Sequence, residues 1–372
     1  MTRAWWKRLG LAVGVLPITV LLAACAGAPP ATEPSDSGAE SAASVDQAAV
    51  DKIDTSKHAI FYAQLWKLSD EGPLIPGLDE GHIPQGIAYW KDKDWLIISS
   101  YNDSNKPSTL SVVDASSGQE VKTVSLLKPD GGAYTGHAGG VAISQNHLWV
   151  SSDGKAWWMP LESLEQADHG DRVRFDGVVE TVARASFTTY HDGILWVGEF
   201  HLEPNYTTDA SHKLTSPDGS RYSAWAAGYR LDAEDRIVES ASGPAIPSYI
   251  LSIPDSVQGM TFTDDTVITS QSYGRGNDSR LTMYRRPDLN GEPQQRVTVG
   301  GQEVPVWFLD STNRTQNLNP IIAPPMSEGV DTDGNRLFLL FESGAQKYRS
   351  SAASPMDTIR VIRLDEWMNT GQ

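Results

Sequence analysis

One hairpin, repeated along the chain, constrains the fold more than any other feature. Its clearest copy starts at Glu328-Gly329-Val330, turns through Asp333-Gly334-Asn335, and returns as Leu337-Phe338-Leu339-Leu340-Phe341-Glu342. Asp, Gly and Asn tolerate the positive φ that a tight hairpin turn demands. Three further copies begin at Gly86, Gly140 and Gly259, with turns near Asp92, Gln145 and Asp264. A fifth places Phe187 where the others have glycine and turns at His191-Asp192-Gly193. The copies start at residues 86, 140, 187, 259 and 329. A strand-bearing unit recurring at this interval means a propeller or β-array. Alternating runs such as Thr109–Asp114 and Glu120–Leu126 fill the first interval and give that blade four antiparallel strands. The chain is therefore expected to be all-β, a single β-propeller of five blades. The long intervals of blades three and four, with Gly243–Ile253 and Gly300–Leu318 as places for a further blade, leave six or seven open. Strands are expected at 173–182 in blade two, 236–239 in blade three and 304–309 in blade four.

The fifth blade lacks a strand, because only Thr358–Leu364 follows its hairpin. The run Ala59–Trp66 is expected to pair beside it. That N-terminal strand would close the ring and remove the sheet edge between first and last blades.

The N-terminus reads differently. Arg3, Lys7 and Arg8 precede an apolar run, Leu9 to Ala24, too short for a permanent membrane span. Cys25, the one cysteine, follows Leu22-Ala23-Ala24. This sequence resembles the lipobox of bacterial lipoproteins, in which the cysteine becomes the first mature residue and carries the lipids. The resemblance implies a signal peptide over 1–24 and a lipidated Cys25. Residues 25–52 read as a disordered tether, being mostly small and polar. The propeller would then occupy 53–372, anchored to the cell membrane by its lipid and facing outside the cytoplasm. The net charge of −17 makes the body a poor nucleic-acid binder. A monomer is expected.

Propeller geometry sorts the polar residues by face. Each inner strand starts at one face and turns at the other, so the hairpin turns share one face and the strand starts share its opposite. Gln85, His137, Gln258 and Glu328 gather near the axis on the strand-start face. Tyr101, Asn102, Asp153, Glu199, His201, Gln271, Tyr273, Arg275 and Glu342 lie around them. These are the candidate ligand-binding residues. The Asp333-Gly334-Asn335 and His191-Asp192 groups become structural turns once the copies are aligned. The polar insert Leu202–Ser223 is expected to drape over the candidate face, where long loops are often functional. No P-loop, His-Glu-x-x-His or Cys–His zinc pattern is present in the sequence.

Two functions remain open. In one, the polar face binds a small molecule or an extracellular protein. The other follows from a resemblance. By its Gly-hairpin grammar the body is distantly similar to the gluconolactonase, paraoxonase and strictosidine-synthase-like propellers, whose Glu-Gly strand start is matched by Glu328-Gly329. That resemblance implies a channel metal, Ca²⁺, held by Glu328 with Gln85 and Gln258, and hydrolysis of an ester, lactone or phosphoanhydride.

Overall fold

The computed structural model describes residues 61–315 and 318–370. The leader, Cys25 and the tether lie outside the described residues. Within the compact unit Thr55–Gln372 the strands form a five-bladed β-propeller. The inner strands are His82–Trp90, Gly140–Ile143, Phe187–His191, Val257–Phe262 and Ser327–Thr332. Each pairs antiparallel with the strand that follows its hairpin turn. All five predicted hairpins are therefore the cores of blades.

The axis shows why glycine recurs. A Cβ on Gly86 would lie 2.7 Å from the Gly140 Cα, and one on Gly140 would lie 2.7 Å from the Phe187 Cα. One on Gly259 would lie 2.9 Å from the Gly329 Cα, and one on Gly329 would lie 3.0 Å from the Gly86 Cα. Neighbouring inner strands touch backbone to backbone, which only glycine allows. The exception at Phe187 has its own accommodation. Its ring occupies the space beside Gly198, 1.9 Å from where a Cβ there would stand.

Each blade is buried on both faces, so its strands read as continuous apolar runs rather than half-polar ones. The Arg336–Phe341 strand shows the division. Leu337, Leu339 and Phe341 pack toward blade four with Ile268 and Leu281, whereas Phe338 and Leu340 pack toward blade one with Ile87 and Ile98. Equivalent apolar clusters fill the seams between blades one and two, two and three, and three and four.

The ring closes through the N-terminal strand as expected, but with a different segment. Ser69–Leu74 pairs antiparallel with Thr358–Arg363, while Ala63–Leu68 is a short helix. The helix is favoured by Ala, Gln, Leu and Lys, and Leu65 and Leu68 are buried one turn apart. Arg360 fastens the closing strand: its Nη2 donates to the Ser69 carbonyl at 3.1 Å, and its guanidinium lies 4.9 Å above Trp66.

The outer strands depart further from expectation. Residues 173–182 divide: Arg172–Arg174 joins blade one in parallel beside Glu120–Leu127, and Gly177–Glu180 completes blade two. Lys122 secures this crossing by donating to the carbonyls of Leu164, Glu165 and Ala167 at the end of the Leu161–Gln166 helix. Residues 236–239 form no strand. The preceding Asp235 has φ 59° and grips blade two, accepting from Ser144 Oγ at 2.5 Å and Asn146 N at 2.7 Å. Blade three is completed by Tyr249–Ile253 instead. The strand expected over 304–309 is Gln302–Phe308, which extends blade three through parallel pairing with Tyr249–Ile253. Ile321–Ala323 completes blade four. The long intervals therefore hold added outer strands, not additional blades.

Candidate functional site

Three of the five inner strands share an irregularity beside the axis. Register shifts between Pro84 and Gly86, between Val257 and Gly259, and between Ser327 and Val330. The residues at these bulges include Gln85, Gln258 and Glu328. A bulge re-aims the side chain it carries. Here the three join Glu342, which follows the second strand of blade five, in one hydrogen-bonded chain. Gln85 Nε2 donates to Glu342 Oε2 at 3.0 Å, Glu342 and Glu328 share a hydrogen bond, and Gln258 Nε2 donates to Glu328 Oε1 at 3.2 Å. The chain crosses from blade one through blade five to blade four.

Glu328 is buried, at 3% exposure. Burial first, and the adjacent Glu342 carboxyl second, push its carboxyl well above the ordinary carboxylate range. The Glu328 carboxyl therefore keeps its proton above the ordinary carboxylate range and shares a hydrogen bond with Glu342. Beneath it Asp331 links three blades. It accepts from Tyr89 N at 2.7 Å and from Thr261 Oγ1 at 2.9 Å. Desolvation pushes its pKa up to about 6, against those two hydrogen bonds.

An aromatic and cationic group adjoins this chain on the same face. Tyr101 pairs with Ile83, close to the Gln85 bulge, and stacks on His137 with ring centroids 4.5 Å apart. The hydroxyls of Tyr101 and Tyr348 lie 3.0 Å apart, and Lys347 Nζ donates to Tyr101 at 3.2 Å. Arg275 reaches across from blade four to lie 5.2 Å above the Tyr348 ring. Lys347 and Tyr348 escaped the sequence reading. They sit on the short Gln346–Arg349 helix, in the connection from Phe341 to Thr358. The signal available was the length of that connection on the strand-start face.

The remaining candidates fall elsewhere. Glu199 is fully buried and binds the insert: it accepts from Trp225 N at 3.0 Å and Arg184 N at 3.1 Å, and lies 2.6 Å from His212 Nδ1. His212 in turn stacks on Trp225 at 3.8 Å. His201 packs beside Thr208, its Nδ1 2.9 Å from the threonine hydroxyl, and its Nε2 lies 3.7 Å from Glu203. These contacts hold the insert to blade three. Gln271 Nε2 donates to the Asp255 carbonyl, and Asn102 accepts from Ser104 N in its own turn. Asp153 is exposed at φ 51°, and Tyr273 is exposed beside Phe200.

The donor set does not fit the implied Ca²⁺. That ion takes six to eight oxygens. At Glu328 the neighbours are a second carboxyl and an amide N–H, already bonded to one another. Among the described residues, no group of three or more His, Cys, Asp or Glu side chains is arranged to hold a metal.

Fold and site together define a five-bladed β-propeller with a carboxyl pair at one mouth of its channel. No protein-family model matches the chain, and no curated protein matches it. Among solved structures it is similar to a Myxococcus xanthus glutaminyl cyclase, at 11% identity and TM-score 0.36, covering 79% of this chain and 96% of that one. It is also similar to the Kuenenia stuttgartiensis hydrazine synthase, at 13% identity and TM-score 0.30, covering 75% and 86%. At these values neither likeness carries an argument about activity.

Proposed function

We propose that this chain is a lipid-anchored, extracytoplasmic propeller that binds a small ligand at the strand-start mouth of its channel. One observation carries the reading: the Gln85–Glu342–Glu328–Gln258 chain, aimed at the axis by three bulges. A buried polar cluster is costly unless its members are paired. Paired as it is, it offers both donors and acceptors, which suits an uncharged hydroxyl or amide group on the ligand. Anchoring rests on the Leu22-Ala23-Ala24-Cys25 sequence. The test uses full-length protein in detergent against hexoses, polyols and small amides. At least one of these classes should raise the melting temperature saturably, and Glu342→Ala should abolish the rise. No saturable rise with any class, or an equal rise in the variant, would overturn the reading. For the anchor, Cys25→Ser should move the protein from the detergent phase to the aqueous phase.

A second reading, hydrolysis of an ester, lactone or phosphoanhydride, draws on the same pair. The Glu328 carboxyl, which burial keeps protonated above the ordinary range, supplies an acid beside a second carboxyl. Turnover of such a substrate that disappears in Glu328→Gln, with binding retained, would favour the hydrolase.

A further inference from the structure

The opposite face of the propeller carries a second site. A cavity of about 820 Å³ opens there between blades three and four, within the range of small-molecule pockets. Its floor is aromatic. Phe262 stacks between Trp196, at 5.4 Å, and His191, at 5.5 Å, with Ile194 and Leu251 alongside. The His191-Asp192 turn is thus structural, as its place in the repeat implies, and also lines a cavity.

Two arginines at this cavity are oriented by neutral partners. Arg286 Nη1 lies 2.6 Å from His191 Nε2, so that nitrogen accepts and the imidazole is neutral, its proton on Nδ1. Burial, then the Arg286 charge, hold His191 below its ordinary pKa, which agrees with that tautomer. Arg230 Nη2 donates to the Tyr249 hydroxyl at 2.6 Å, and its guanidinium lies 5.5 Å above the same ring. Among the described residues neither arginine forms an ion pair with a carboxylate, and neither does Arg285 beside them. Each guanidinium has five N–H donors, and one partner leaves most of them available. A planar cation held in place by neutral groups is suited to bind a carboxylate through paired hydrogen bonds. The acids Asp192, Asp264, Asp265 and Asp288 also line the cavity. They oppose a second negative charge on the ligand and tolerate an amine.

We infer that this cavity binds a monocarboxylate with an apolar body, its carboxylate on Arg230 and Arg286 and its body against half-buried His191, Pro287 and Leu289, which the buried Trp196–Phe262 stack supports. The site is separate from the channel mouth and does not depend on the reading of that mouth.

The test is calorimetric titration of full-length protein in detergent with 3-phenylpropionate, and with its neutral isostere 3-phenylpropionamide. The acid should bind saturably and the amide at least about tenfold more weakly, the scale of one lost charge-assisted contact. Arg286→Gln and Arg230→Gln should each weaken the acid by about tenfold or more and leave the amide unchanged. Glu328→Gln, at the other face, should leave both titrations unaltered. Absence of saturable binding at millimolar acid would overturn the inference. So would equal affinity for the amide, indifference to both arginine variants, or loss of acid binding in Glu328→Gln. The two arginine variants are read separately, so one that fails to fold leaves the other to decide.

Discussion

The seam between blades five and one and the seam between blades three and four are built from different materials. The first combines apolar packing with buried polar groups: Gln85 donating to Glu342, which bonds Glu328, and Asp331 bridging to Tyr89. The second is filled by large side chains, Phe187, Trp196, Phe262 and Trp307, with aliphatic residues around them. The difference follows from the axis. In blades one, four and five, glycine starts and bulges bring backbones together and turn polar side chains inward. Blade three begins with Phe187, whose ring fills the same volume with carbon. A polar seam depends on the protonation of its members and an aromatic seam does not. The two should therefore respond to different perturbations.

Truncation should produce the largest effect, and at the aromatic seam. Phe262→Ala removes a ring stacked on both Trp196 and His191 and should cost about 3–5 kcal/mol in denaturant unfolding. The loss should be no larger at pH 5 than at pH 7, because the same ring helps bury His191, whose pKa burial lowers. A loss under about 1 kcal/mol would mean that the seam collapses around the gap, and would blunt the contrast.

Acidification should have the next largest effect, and at the polar seam. The Glu328 and Asp331 carboxyls have pKa values raised in the folded state, Asp331 to about 6. The folded protein thus binds more protons than the unfolded chain above the ordinary carboxylate pKa. Stability is greatest when both groups are protonated and falls as pH rises through their folded values. The melting temperature should rise between pH 7 and pH 5. A chain of net charge −17 also gains from reduced self-repulsion, so the measurement is the difference from Glu328→Gln. That variant should melt higher than the parent at pH 7 and rise less on acidification. Identical pH profiles would remove Glu328 from the account.

The inner architecture was legible in the sequence because it is local. A glycine, a turn and an apolar return strand lie within about twenty residues in four copies, and a fifth differs only in having Phe187 for the glycine. The outer strand of blade one, Glu120–Leu127, was legible, but the strands added beyond a blade's fourth were not, for the opposite reason. Arg172–Arg174 and Gln302–Phe308 pair in parallel with a strand of the preceding blade, and nothing local says which sheet an added strand will join. The Ala63–Leu68 segment carries mostly good helix formers, but the need for a closing strand governed its reading. At the candidate site, alignment of the repeats placed Gln85, Gln258 and Glu328 together. It could not place Lys347 and Tyr348, which have no counterpart in the other copies. Nor could it reveal the turn-face cavity, whose walls come from blades three and four and whose arginines lie at the ends of third strands.

The smallest expected effect distinguishes a proton-sensitive seam from a merely polar one. Thr261 reaches from blade four to donate a hydrogen bond to Asp331, and that bond lowers a pKa which desolvation has raised. Thr261→Val keeps the shape and removes the donor. Above pH 7, where Asp331 is ionised, the variant should lose about 0.5–1.5 kcal/mol, the usual worth of one hydrogen bond. Near pH 4 the carboxyl is protonated and asks less of that donor, so the loss should shrink. The Asp331 titration, followed through its side-chain carbon by NMR, should move upward from about 6. A pH-independent loss would mean that Thr261 contributes packing alone. The proton sensitivity of the polar seam would then reside in the Glu328–Glu342 pair, one layer closer to the channel mouth.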